Sequence, residues 1–146
     1  MSEVAAPEIA AVLGIPPEGA DRPFSVISLI ACIEAGLPVA ALDRISNSYA
    51  PADKSFVFRV LPRATLDRRR RTHRLTPSEG GLVARLARIW SAAIDTWKDD
   101  EAARSFLFRP HPLIEGRTPV DVVLASEFGA GLVEDILGRL KYGTAA

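Results

Sequence analysis

The sequence predicts an all-α chain, and three observations carry that reading. Apolar residues recur at helical spacing along nearly the whole length, and no stretch alternates with period two for long enough to make a sheet strand. Threonine followed by proline, the signature of a helix start, occurs at Thr76-Pro77 and again at Thr118-Pro119. With 146 residues, 48% of them hydrophobic and 25% charged, the chain has a globular composition and length for one compact domain or two small lobes.

A short segment, Pro7 to Leu13, comes first. Gly14 to Pro23 follows, and its three prolines and two glycines read as a flexible loop, so the fold is expected to begin near Phe24. Phe24 to Ala35 is apolar almost all round, as in a helix buried on most sides, with Gly36 as a left-handed stop before Pro38. Pro38 suits the first turn of a second helix in which Val39, Leu42 and Ile45 share a face; Ser46-Asn47-Ser48 is expected to break it. A third helix is expected from Pro51 to Val60. Leu61-Pro62 interrupts the pattern, because proline clashes with the preceding turn and restricts the residue before it. A new helix restarts at Arg63 or Ala64, which gives helix, tight turn, helix.

Thr76-Pro77-Ser78-Glu79 sets a cap, a proline at the first helical position and a glutamate three residues after the cap, a capping box. The helix it starts should run to about Trp97. Leu82, Leu86, Ile89 and Ala93 line one stripe, Val83, Trp90, Ile94 and Trp97 widen it, and Arg85 and Arg88 are expected to face away. The seven-residue spacing of Trp90 and Trp97 reads as core packing. Asp99-Asp100-Glu101 puts acidic residues at the positive end of another helix, ending near Phe108 before a loop with Pro110, Pro112 and Gly116. Thr118-Pro119 starts a short helix to about Ser126. The last helix is expected from Gly129 or Ala130 to Tyr142, with Leu132, Val133, Ile136, Leu137 and Leu140 on its apolar side, Asp135 and Arg139 spaced as an ion pair, and Gly143 ending it.

Net charge is zero, yet it is unevenly spread. Residues 1–50 carry two basic and six acidic groups, 51–98 eleven and four, and 99–146 five and eight, so the three segments stand at −4, +7 and −3. A basic middle between acidic flanks points to a local polyanion-binding surface. Its densest part is residues 63–74, with six arginines against one aspartate. Arg63, Thr65, Arg68, Arg69, Arg70, Arg71 and Arg74 are the candidate DNA-binding residues, because the run follows a helix-turn-helix pattern and guanidinium forks suit phosphates and base edges. A solvated charged face, or a dock for an acidic protein, is the plainer reading of the same run.

Catalysis by metal or nucleophile needs a cluster that this sequence lacks. The two histidines, His73 in the arginine run and His111 between two prolines, read as surface and loop residues, and the lone Cys32 lies within an apolar run. No metal, cofactor or catalytic residue is therefore expected, and the chain is read as a binding protein. A single cysteine suggests a reducing, cytoplasmic setting. No apolar run reaches the roughly 18 to 20 residues that span a bilayer, and acidic Glu3 and Glu8 stand where a signal peptide is basic, so neither secretion nor membrane insertion is expected.

The C-terminal stretch carries a resemblance. Phe106-Leu107, Pro112-Leu113, Gly116, Thr118-Pro119-Val120-Asp121-Val122-Val123, Glu127-Phe128-Gly129 and the run from Val133 to Gly143 are similar in order and spacing to the toxin-binding domain of Xre/MbcA/ParS-type antitoxins. Upstream, Arg63 to Arg69 and Leu75-Thr76-Pro77-Ser78-Glu79 resemble the end of that family's Xre-like helix-turn-helix and the helix start after it. Residues 1–23 are read from their prolines and glycines as a flexible N-terminal segment; the resemblance, over about residues 24–143, implies a helix-turn-helix DNA-binding lobe over 24–75, joined by a long helix to a small C-terminal helical toxin-binding domain, these two spanning 76–146. It further implies a type II antitoxin that inhibits a RES-domain toxin, an enzyme that consumes NAD, by blocking its active-site cleft, and that represses its own operon. Leu113, Arg117, Glu127, Phe128, Arg139, Tyr142 and Gly143 are the implied toxin contacts, with the tail from Thr144 to Ala146 as a plug.

Three function classes stand at this point. In the first, an antitoxin and repressor, as a homodimer within a larger complex, binds a toxin and operator DNA. In the second, a stand-alone dimeric helix-turn-helix regulator has no toxin partner. In the third, a protein-only adaptor binds no DNA, and its binding would lack the steep salt dependence of phosphate contacts.

Overall fold

A computed structural model describes residues 6–16 and 24–143, and over these the chain is all-α, with nine α-helices and one 3-10 turn. Packing gathers residues 6–87 into an N-terminal unit and 88–143 into a C-terminal unit. The sequence puts the lobe boundary at the start of the long helix, between 75 and 76; packing divides the chain inside that helix. The part of the expected loop from 17 to 23, and the tail from 144 to 146, lie outside the described residues.

In the N-terminal unit, α1 (Ala6–Leu13) buries Ala6, Ile9, Ala10 and Leu13 and packs against the two helices that follow, so the folded unit begins ahead of Phe24. α2 (Val26–Ala35) starts at a capping box in which Ser25 Oγ accepts from the Ser28 amide and Ser28 Oγ accepts from the Ser25 amide. It is not the expected core helix. Leu29 is its buried residue, while Val26 and Ile27 are 62% and 73% exposed, because a helix of mostly apolar composition buries only the face that meets a neighbour. Gly36 ends it at φ 99°, ψ 107°, a positive φ outside the left-handed helical region expected of it.

α3 (Val39–Tyr49) runs straight through the expected break at Ser46-Asn47-Ser48, with Pro38 as its cap. Packing overrides the polar run: Ser46 and Tyr49 are buried, Tyr49 stacks on Phe56 at 5.7 Å, and its hydroxyl donates to the Leu86 carbonyl at 2.7 Å. Burial pushes the Tyr49 phenol far above its ordinary range. The expected helix from Pro51 to Val60 shrinks to α4 (Val57–Val60), because the Asp53 carboxylate accepts from both the amide and the hydroxyl of Ser55 and holds a turn there. α5 (Arg63–Thr72) begins just past Pro62, as expected, and is closed by His73 in the left-handed region, φ 64°.

α6 (Pro77–Trp97) carries the expected capping box: Glu79 Oε1 accepts from the Thr76 amide at 2.9 Å, and Thr76 Oγ1 accepts from the Glu79 amide at 3.2 Å. Past residue 87 it joins the C-terminal unit, where α7 (Asp100–Leu107) is capped by Asp99 and α8 (Pro119–Ala125) by Thr118. Between them lies the 3-10 turn Pro112–Ile114. α9 (Glu127–Lys141) starts two residues before its expected origin, because Ser126 both ends α8 and caps α9. α8 and α9 pack so closely that a Cβ on Gly129 would stand 1.8 Å from the Val122 carbonyl oxygen.

Candidate functional site

The arginine run of α5 splits by helical phase. Leu66 is buried, and the side chains around it on the wheel face the unit. Arg69 lies there: its Nε and Nη2 donate to the two carboxylate oxygens of Glu79 at 2.6 and 3.0 Å, a bidentate fork. The Glu79 hydrogen bond raises the Arg69 guanidinium, and the Arg69 fork holds the Glu79 carboxyl below its ordinary value against the opposing effect of burial. Arg70, on the other side of Leu66, makes a second fork to Asp43 of α3 at 2.6 and 2.8 Å. Arg74 donates to the Gly36 carbonyl at 2.8 Å, beside backbone bonds from the Leu75 amide to Leu37 and from the Val39 amide to His73. Two of the expected DNA contacts thus fasten α5 to α3 and α6, and a third, Arg74, ties the segment after α5 to the turn after α2.

The remaining four point differently. Arg68 and Arg71 share the outward face of α5, both exposed, and neither has an acidic partner among the described residues. Thr65 flanks that face, and Arg68 Nη2 stands 3.5 Å from its Oγ1. Arg63 lays its guanidinium 3.9 Å from the centroid of Phe58, a cation–π contact across the Pro62 turn. Phe58, read from sequence only as part of a third helix, is what fixes the first arginine of the run.

In the C-terminal unit α9 has two faces. Ala130, Val133, Ile136 and Leu137 are buried. The opposite face carries Phe128, Leu132, Asp135, Arg139 and Tyr142, spaced i, i+4, i+7, i+11 and i+14, with Phe128 89% and Tyr142 77% exposed. Leu132, expected on the apolar side, is also exposed. Three bulky apolar or aromatic side chains, Phe128, Leu132 and Tyr142, thus stand in water along one row, a composition that contact surfaces favour.

The other expected partner contacts fall into different places. Leu113 and Arg117 are exposed on the loop around the 3-10 turn, and Gly143 follows the end of α9. Glu127 is held within the unit: its carboxylate receives both Nη groups of Arg88, at 3.3 and 2.8 Å, and Arg88 lies 3.4 Å from Glu134 as well. Arg88 is therefore not the outward residue expected. Burial raises the Glu134 carboxyl, and Arg88 opposes that only in part. Lys141 hydrogen-bonds Asp95, whose carboxyl that contact lowers.

Trp90 is in the core as expected, but Trp97 is 38% exposed. It tilts against Phe106 at 6.0 Å and, with Phe106, His111 and Leu140, walls an open cleft of about 380 Å³ rimmed by Ser105 and Arg109. His111 Nδ1 accepts from the Leu113 amide, so this histidine organises the loop it was expected merely to occupy. No group of three or more His, Cys, Asp or Glu residues among those described is placed to hold a metal ion, and no helix among them is long and apolar enough to cross a membrane.

Two comparisons bear on these surfaces. Residues 92–143 match the family described as the antitoxin Xre/MbcA/ParS C-terminal toxin-binding domain. The chain is also 35% identical over 120 residues, 79% of its own length and 79% of the other's, to the antitoxin Xre of Yersinia enterocolitica serotype O:8 / biotype 1B (strain NCTC 13174 / 8081).

Proposed function

The chain belongs to the Xre/MbcA/ParS-type antitoxins, a regulatory rather than an enzymatic role in a toxin–antitoxin system, and from that premise we propose that it inhibits a RES-domain, NAD-consuming toxin in the cytoplasm and represses its own operon as a homodimer. The observation that carries the toxin half is the exposed row Phe128, Leu132, Arg139 and Tyr142, which lies inside the matched toxin-binding segment. Aromatic and arginine side chains supply most of the binding energy at interfaces, and here none of the three largest is spent on the core. Leu113 and Arg117 extend that contact, and the chain beyond Gly143 blocks the toxin's cleft sterically, with no reactive group required.

DNA binding falls to Arg68 and Arg71 on the outward face of α5, with Thr65 and Arg63 at its flanks. Arg69, Arg70 and Arg74 act indirectly, by holding the helix. The decisive experiment is co-expression of the tagged chain with the adjacent open reading frame. A stoichiometric complex, whose partner degrades NAD once separated and is silenced again on adding the chain back, supports this reading; a homodimer eluting alone, with no effect on that partner, overturns its toxin half.

A further inference from the structure

α2 presents to solvent a single face made of Val26, Ile27, Ile30, Ala31 and Glu34, the first three 62%, 73% and 44% exposed. Its electrostatics are unmatched as well. Its first turn has no acidic residue and its last turn no basic one, and Glu34 places a negative charge at the helix's negative end. Glu34 has no ion-pair partner among the described residues.

We propose that this face docks on α2 of a second copy of the chain, antiparallel across a two-fold axis near Ile30 and Ala31. This rests on the homodimer reading above and gives it an interface. The face is self-complementary in that arrangement. Ile30 of each copy packs on the small Ala31 of the other, and Ile27 packs beside Glu34. Each Glu34 then lies over the partner helix's positive end, which lacks an acid of its own, so both mismatches are cancelled by the same rotation. A parallel pairing would instead bring the two glutamates together. Ten residues make a helix about 15 Å long, which covers less than the roughly 800 Å² per partner of a standard interface, so the pairing is reversible.

Light scattering of the purified full chain, from about 1 µM to about 1 mM, is the test. The mass should rise from one chain towards two, and Ile27→Glu should raise the dimer dissociation constant about tenfold or more. Glu34→Lys relieves the mismatch within its own helix, so it keeps the fold; it should nonetheless weaken the dimer about tenfold, from two symmetry-related sites worth a factor of about three each. A wild-type mass of one chain throughout overturns both the homodimer reading and this interface. A dimer unmoved by either variant leaves the homodimer standing and overturns this interface alone. A monomer that loses toxin capture on Ile27→Glu gives the face to the toxin and likewise overturns it.

Discussion

A residue's chemical type and its availability are separate properties in α5. Six arginines over residues 63–74 read as one polycation, yet Arg69 and Arg70 are forked to carboxylates and Arg74 donates a single bond to a carbonyl. Arg68→Ala with Arg71→Ala is expected to weaken operator binding by about 1–3 kcal/mol for each base contact, or to lower the salt slope by about 0.9 for each phosphate contact, with the thermal midpoint unchanged. Arg69→Ala should do the opposite at first order: it lowers the thermal midpoint of the N-terminal unit, and DNA affinity falls only as far as α5 loosens. Equal midpoints for the two variants would contradict this division. Gly129 is the other residue whose role is set by contact. An alanine there meets the Val122 carbonyl, so Gly129→Ala is expected to destabilise the C-terminal unit by about 3 kcal/mol or more in chemical denaturation.

At the scale of the element, the helix starts with a side-chain cap were the most legible part of the chain. Thr76-Pro77 and Thr118-Pro119 both begin helices where the sequence places them, because a cap is a local hydrogen bond that needs no distant partner. Ser126 has the same local chemistry, and its glycine-rich neighbourhood disguised it; Ser126→Ala should cost about 1 kcal/mol, read as a lower denaturation midpoint. Helix ends and burial were less legible, since they depend on neighbours. The serines at 46 and 48 could not reveal that Tyr49 would be pulled under Leu86, and the apolar run of α2 could not reveal which side lacked a neighbour. Element packing also sets the response to pH. The Glu134 carboxyl, raised by burial between α9 and its surroundings, binds more protons folded than unfolded, so its contribution falls as pH rises from its ordinary 4.5 through the raised value. Glu79, lowered by Arg69, behaves with the opposite sign: its contribution is complete above 4.5 and is lost as pH falls through its depressed value. Glu134→Gln should flatten the stability profile above pH 4.5, and Glu79→Gln the profile below it, in pH-dependent denaturation.

For the whole molecule, the all-α class and the resemblance of the C-terminal stretch were both present in the sequence, the first through periodicity and the second through the order of Pro, Gly and aliphatic residues from 106 to 143. The exposed row on α9 is half visible in the sequence: the resemblance points to Phe128, Arg139 and Tyr142, whereas periodicity places Leu132 on the apolar side because it gives no direction. Deleting residues 142–146 is expected to abolish protection from the toxin in a growth assay while operator binding persists, and the Arg68/Arg71 variant should show the converse. Loss of both activities in either variant would mean that the two functions are not carried by separate units.

The two faces of α9 have a further consequence for how such a protein diversifies. Its inward face and Gly129 answer to packing, so few substitutions survive there, but the exposed Phe128, Leu132 and Tyr142 can change with little effect on folding. On the toxin contact proposed above, partner choice is thereby uncoupled from stability. On that proposal, duplicated copies can drift to new toxins along one helix face, and swapping those three side chains between paralogues is expected to exchange their immunity.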